Sequence, residues 1–321
     1  MSRSAFARVT FAGIVTGAAK PRRLLAAATV FVALLVITPS SALASHVECG
    51  DVITHDTTLD ADVVCDPQAL GATAPDGQRY AILIGADDVR LDLAGHRIVV
   101  PPAFQTGTLL WAVGIYGHDR VTIANGEPTE TVALYDAHDN RLVDLVIDAY
   151  IGHLILDGSR SNQIRGVRIN GDHGSTQIRN GSDGNIFVGN DFVYDIGVYL
   201  VDSDRNLFLR NTSCSLAPFA VEEGSDENRL EGNVAGCEAG QAFYGFRIAN
   251  GAQRNVLVNN TANAIGLIAG IFAGDPSTVL INNTANDNVG LGILAVPGVF
   301  AINNRASGNG DPRQCVEVIC R

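Results

Sequence analysis

In the second half of the chain a short segment recurs, with an apolar residue third and asparagine last. Its copies are NIFVGN (Asn185–Asn190), NLFLRN (Asn206–Asn211), NRLEGN (Asn228–Asn233), NVLVNN (Asn255–Asn260), TVLINN (Thr278–Asn283) and VFAINN (Val299–Asn304). The closing asparagines are 21, 22, 27, 23 and 21 positions apart. A period in this range marks a chain built of stacked units. Earlier copies, DRVTIA (Asp119–Ala124), NRLVDL (Asn140–Leu145) and NQIRGV (Asn162–Val167), end on an apolar residue instead. A second apolar position follows five residues after the first, as in Leu142 and Ile147, Ile164 and Ile169, or Phe187 and Phe192. Several units then show a further strand opened by glycine: GVYL (Gly197–Leu200), GFRI (Gly245–Ile248), GIFA (Gly270–Ala273) and GILA (Gly292–Ala295). No stretch carries helical periodicity, and turn clusters such as NGSDGN (Asn180–Asn185) separate the strands. Several short strands per unit without a helix predict an all-β solenoid, a parallel β-helix.

A leucine-rich repeat has a similar period, and Leu207–Ser213 carries a fragment of its pattern. It also requires a leucine where this chain has the opening asparagine, so the β-helix is preferred. Turned inward at a bend, an asparagine can donate its amide to the same residue one coil away. Asn190, Asn211, Asn233, Asn260, Asn283 and Asn304 are therefore expected to form a structural ladder. The strand-like run Ala81–Val100, with Val89, Leu91 and Leu93 on one face, opens the solenoid, and Pro101–Trp111 reads as an inserted loop. The Asn-x-apolar-x-x-Asn-x-apolar copies resemble the repeat of pectate-lyase-like and related secreted proteins, known as the PbH1 repeat, over roughly residues 81–310. That resemblance implies a right-handed single-stranded parallel β-helix of roughly 9–10 coils with an N-terminal cap. It specifies a scaffold on which many chemistries occur.

The chain opens with a different pattern. Arg3, Arg8, Lys20, Arg22 and Arg23 precede the apolar run Leu24–Ile37 and then small residues ending Ala42-Leu43-Ala44. This is the order of a secretory signal, and the run is shorter than a membrane-spanning helix. The expected layout is a signal peptide over 1–44, a cap and loop over 45–80, the β-helix over 81–310 and a disulfide tail over 311–321. An extracellular or periplasmic location follows, with no membrane association after cleavage, and a monomer is expected. Beyond the leader the chain keeps 17 Arg, no Lys and 34 Asp plus Glu, a net charge of −17. Nucleic acid is excluded as a partner, because phosphate binding needs basic patches. Six cysteines in an exported chain predict disulfides, and position suggests Cys49–Cys65, Cys214–Cys237 and Cys315–Cys320.

For chemistry, the absence of lysine beyond the leader rules out a lyase with a lysine base, and no galacturonan-hydrolase motif is present. The densest candidate cluster spans three coils: Asp148 and Tyr150, then Arg168, Asp172 and His173, then Tyr194 and Asp195. Stacking would bring Asp148, Asp172 and Asp195 to one edge, about 5 or 10 Å apart, the separations that glycosidases use. His173 and Arg168 would assist, and Tyr150 and Tyr194 would bind sugar rings. A second acidic line, Asp157, Asp202, Asp204, Glu222, Glu223, Asp226 and Glu227, has the oxygen-rich turns that can hold Ca²⁺, although no calcium motif is present. No metal ligand set is assigned, and scattered histidines and the lack of methionine beyond Met1 speak against copper. Two functions follow: a polysaccharide-directed lyase, hydrolase or epimerase acting along one face, or a non-catalytic β-helix that binds cell-surface glycan or serves as a structural spacer.

Overall fold

A computed structural model describes residues 44–66, 71–101, 109–148, 153–171, 174–193, 196–236 and 242–321. Residues from Ala42 to Arg321 form one compact unit, and every described strand pairing but one is parallel. One coil shows the plan. Ile186–Val188 lies on a first sheet, Asp191–Val193 on a second and Val198–Val201 on a third. The next coil repeats this order with Leu207–Leu209, Thr212–Cys214 and Phe219–Glu222, each paired in register with its predecessor. We call these faces sheets I, II and III. No helix occurs among the described residues.

Strand alternation explains the core. In the three-residue strands of the central coils the middle residue points inward, so Phe187, Phe192, Phe208 and Leu257 are fully buried. Identical neighbours stack along the axis: Phe187 lies on Phe208 with ring centroids 4.6 Å apart, and Phe219 on Phe246 at 5.0 Å. Val89, Leu91 and Leu93 are buried as their alternation predicts. The segment expected to cap the solenoid contributes strands of its own. Asp51–Ile53, Thr57–Leu59 and Val63–Val64 pair with sheets III, I and II, and the Cys49–Cys65 disulfide ties them together. Residues Leu110 and Trp111, read from sequence as the end of a loop, open the sheet III strand Leu110–Tyr116. Cys315–Cys320 closes the C-terminal end. Cys214 is disulfide-bonded as well, and Cys237 lies outside the described residues.

Two corners are lined by buried asparagines. Between sheets I and II, Asn190 Nδ2 donates to Asn211 Oδ1 at 2.9 Å, Asn211 to Asn233 at 3.0 Å, and so on through Asn260, Asn283 and Asn304. Each Oδ1 also accepts the backbone N–H of the preceding asparagine, and each Nδ2 reaches back to a strand carbonyl such as Phe187 O at 3.1 Å. One side chain thus satisfies several groups that water cannot reach. Between sheets III and I a second row, Asn140, Asn162, Asn185, Asn206, Asn228 and Asn255, accepts backbone N–H groups in the same way. Earlier in the chain, Leu145 and Val167 fill the first corner by packing and are fully buried. The corner between sheets II and III has only a short run of this kind among the described residues, Asn288 and Asn309 near the C-terminus.

Candidate functional site

The irregular corner borders the outer face of sheet III, and that face concentrates the polar and aromatic side chains. In His153–Asp157 the alternation buries Leu154 and Leu156 and turns His153, Ile155 and Asp157 outward. Ser175–Arg179 pairs with it residue for residue, setting Ser175 beside His153 and Arg179 beside Asp157. A continuous chain of hydrogen bonds results. Arg179 Nε donates to Asp157 Oδ2 at 2.8 Å, and an Arg179 terminal N–H donates to Gln177 Oε1 at 2.8 Å. Gln177 Nε2 donates in turn to Ser175 Oγ at 3.0 Å. Ser175 Oγ lies 3.2 Å from His153 Nδ1, which also accepts the Ser175 backbone N–H at 3.1 Å. That backbone donor fixes the imidazole with its proton on Nε2. Burial holds the pKa of His153 below its ordinary value, although the Ser175 N–H acts the other way.

Toward the N-terminus the same face becomes aromatic. Tyr116 stacks on Tyr135 at 4.6 Å, Trp111 lies nearly parallel to Tyr135 at 6.5 Å, and Tyr80 meets Trp111 edge-on at 5.5 Å. Trp111, Tyr116 and Tyr135 are half-buried, and Tyr80 is fully buried beneath them. The Tyr116 hydroxyl donates to Asp76 at 2.5 Å. Tyr135 stands in register with Asp157, so the aromatic strip runs directly into the polar chain. At the adjoining corner, just before Val132–Tyr135, sits Glu130. It is 4% exposed and accepts one hydrogen bond, from the Thr131 N–H at 3.4 Å. Burial pushes its pKa up to about 7.

The residues singled out from sequence fall differently. Tyr150, Asp172, His173, Tyr194 and Asp195 lie outside the described residues. Asp148 is exposed at the end of its strand, opposite Asn170, which is opposite Val193. Asp148 is therefore itself a sheet position, whereas Asp172 and Asp195 each come two residues after one. The buried pairing of Ile147, Ile169 and Phe192 sets this register, and a slip would turn those side chains to solvent. Arg168 is on the outer face of sheet II, donating to Asn170 Oδ1 at 2.9 Å and lying 3.7 Å from Asp191. The acidic line runs mostly along the corner between sheets III and I, where backbone groups and arginines take it up. Asp183, Asp204 and Asp226 each accept the N–H one coil on, at 2.7–2.9 Å. Arg254 binds both Asp226 and Glu227 at 3.0 Å, and buried Glu222 pairs with Arg247. Among the described residues no group of three or more His, Cys, Asp or Glu is placed to hold a metal ion.

Sequence reasoning missed Glu130, Gln177, Arg179, Trp111, Tyr116 and Tyr135 as members of one surface. The available signal was alternation: HLILD places polar residues at its first and fifth positions, and STQIR at its first, third and fifth.

No family model and no curated protein matches the chain. Solved structures do. PfbA, a surface adhesin of Streptococcus pneumoniae, superposes with a TM-score of 0.51 at 11% identity, over 82% of this chain and 76% of its own. The periplasmic alginate epimerase AlgG gives 0.49 at 13% identity, over 81% and 80%. A rhamnogalacturonan lyase gives 0.41 at 13%, over 84% and 78%. Identities this low speak to the fold alone. Strand register and the likeness to the adhesin agree on it: the chain is a parallel β-helix protein.

Proposed function

We propose that the protein binds a polysaccharide along the outer face of sheet III, between the strands Leu110–Tyr116 and Val198–Val201. The observation that carries this reading is the aromatic strip of Trp111, Tyr116 and Tyr135 continuing into the planar polar groups of Asp157, Arg179 and Gln177. A sugar chain alternates apolar C–H patches with hydroxyls, and rings beside carboxylate, guanidinium and amide groups match both. Parallel pairing makes the platform rigid, so little freedom is lost on binding. Asp157 neutralises Arg179, which suits a neutral or weakly charged chain better than a dense polyanion. The disulfides favour an oxidising compartment, extracellular or periplasmic, where such polymers occur.

A catalytic reading is favoured by one further observation. Glu130, with its raised pKa, lies at the corner beside the Thr131–His153–Ser175 column, and acid–base chemistry near neutrality needs such a group. In that reading Asp172 and Asp195 are the carboxylates that complete the site. The experiment is affinity electrophoresis of the protein in gels containing neutral or uronic-acid polysaccharides, alongside assays for reducing ends and unsaturated products. Trp111→Ala and Arg179→Ala should each weaken retardation about tenfold or more. Unchanged retardation in both, or none in the wild type, overturns the binding surface. Turnover by the wild type that is lost in Asp172→Ala and Asp195→Ala establishes the catalytic reading, and wild-type turnover in both variants removes it.

A further inference from the structure

The outer face of sheet I changes character along the solenoid. Up to Gln163–Arg165 its outward positions are mostly polar and include Arg90, Asp92, Arg141 and Arg165. From Ile186–Val188 to Phe300–Ile302 six consecutive strands follow, and in five of them both outward residues are apolar. The exception is Arg229–Glu231, where Arg229 Nε donates to Glu231 at 2.9 Å. Strand propensity accounts for isolated valines, but not for Phe300, 59% exposed, beside Ile302, 45% exposed.

We propose that this face joins the protein to a second copy of itself, side by side and parallel, about a twofold axis running along the solenoid. The charged strand selects both the partner and the geometry. Two copies meeting face to face must be related by a twofold axis lying in the interface. An axis parallel to the strands through Leu230 would set Arg229 against Arg229 and Glu231 against Glu231. An axis along the solenoid instead brings each strand opposite the same strand of the partner, reversed in direction. Arg229 then faces Glu231 of the other copy and Glu231 faces Arg229. Leu207 faces Leu209, Val279 faces Ile281 and Phe300 faces Ile302. Every apolar position meets an apolar position, and the intrachain ion pair becomes a ring of four alternating charges. A membrane surface or an unrelated apolar ligand would gain nothing from an acid and a base fixed in this order.

Six strands at about 4.8 Å and three residues at about 3.3 Å give a face of about 24 by 10 Å. With its rim the pair of copies would bury on the order of 1,000 Å², the lower end for a specific interface, so the dimer should be reversible. The test is analytical ultracentrifugation of the purified protein over a concentration series, with far-ultraviolet circular dichroism confirming the fold of each variant. A concentration-dependent doubling of mass is expected. Val279→Glu should hold the mass at that of one chain. Arg229→Glu should weaken association about tenfold by facing like charges, and adding Glu231→Arg should restore it. Mixing Leu207→Cys with Leu209→Cys should give a crosslinked dimer that neither forms alone. A single-chain mass at every concentration overturns the proposal. So does a doubling indifferent to the charge reversal, or crosslinking of each cysteine variant with itself.

Discussion

Two stretches of the solenoid turn the same corner by different means. Before Gly171 the bend between sheets I and II is filled by Leu145 and Val167, which make no side-chain hydrogen bond and exclude water by packing. From Asn190 onward the bend is filled by amides, each holding a neighbouring amide, a strand carbonyl and a backbone N–H. The outer surfaces divide at nearly the same place. The aromatic and polar strip of sheet III belongs mainly to the earlier coils, and the apolar face of sheet I belongs to the later ones. A bend that relies on packing tolerates different loops and strand lengths, while a bend that relies on amides demands the same geometry in every coil. The region with variable chemistry thus lies where the scaffold is least constrained.

The comparison breaks if the two corners prove energetically alike. Asn211→Leu removes the partners of the buried Asn190 N–H and Phe187 O, and should destabilise the protein by about 4 kcal/mol. Val167→Asn should lie within about 1 kcal/mol of wild type. The Val167 N–H already donates to Asn190 Oδ1 at 2.9 Å, so an amide there would extend the row. Urea unfolding midpoints decide between them, and equal losses in both variants would remove the distinction.

Glu130 sharpens the comparison from the other side, since it is a buried carboxyl in the packing-filled region. Its folded pKa, about 7, stands above the ordinary 4.5. Below pH 4.5 both states hold the proton and the group contributes nothing. Between about 4.5 and 7 the unfolded chain loses its proton first, so folding is progressively disfavoured, and the deficit is complete above pH 7. It amounts to about 3 kcal/mol. Glu130→Gln should therefore be more stable than wild type at pH 8 by about that amount and equal to it at pH 4. His153, whose folded pKa is lowered, acts in the opposite sense as pH falls below its ordinary value. The difference between variant and wild type, measured by denaturant titration at each pH, isolates the glutamate.

The smallest effect concerns a gap in the second row of asparagines. Thr278 stands where an asparagine would continue it after Asn255, and its Oγ1 is buried without a hydrogen-bond partner among the described residues. Thr278→Asn would supply an acceptor for the coil before it and should raise stability by about 1 kcal/mol in the same unfolding assay.

These contrasts also explain what could be read from the sequence. Inward positions repeat because each coil must meet an identical neighbour, so Phe187, Phe208 and the asparagines are legible as columns. Outward positions on sheet III need not repeat from coil to coil. Asp157, Arg179 and Val201 share one register position and have no chemistry in common. Placing them together requires the pairing register. Trp111 was hidden for a related reason: the proline- and glycine-rich residues before it read as loop and carried it with them.

From Asn185 to Asn260 the amide bonds in the two rows run in the same sense, each coil offering its asparagine N–H to the asparagine Oδ1 of the next. A whole unit can therefore be duplicated or excised without leaving a mismatched end. Removal of residues 185–205, for example, would bring Asn206 to the place where Asn185 meets Asn162. The rows act as splice points, and the length of this solenoid is a quantity that gene duplication can change in steps of one turn.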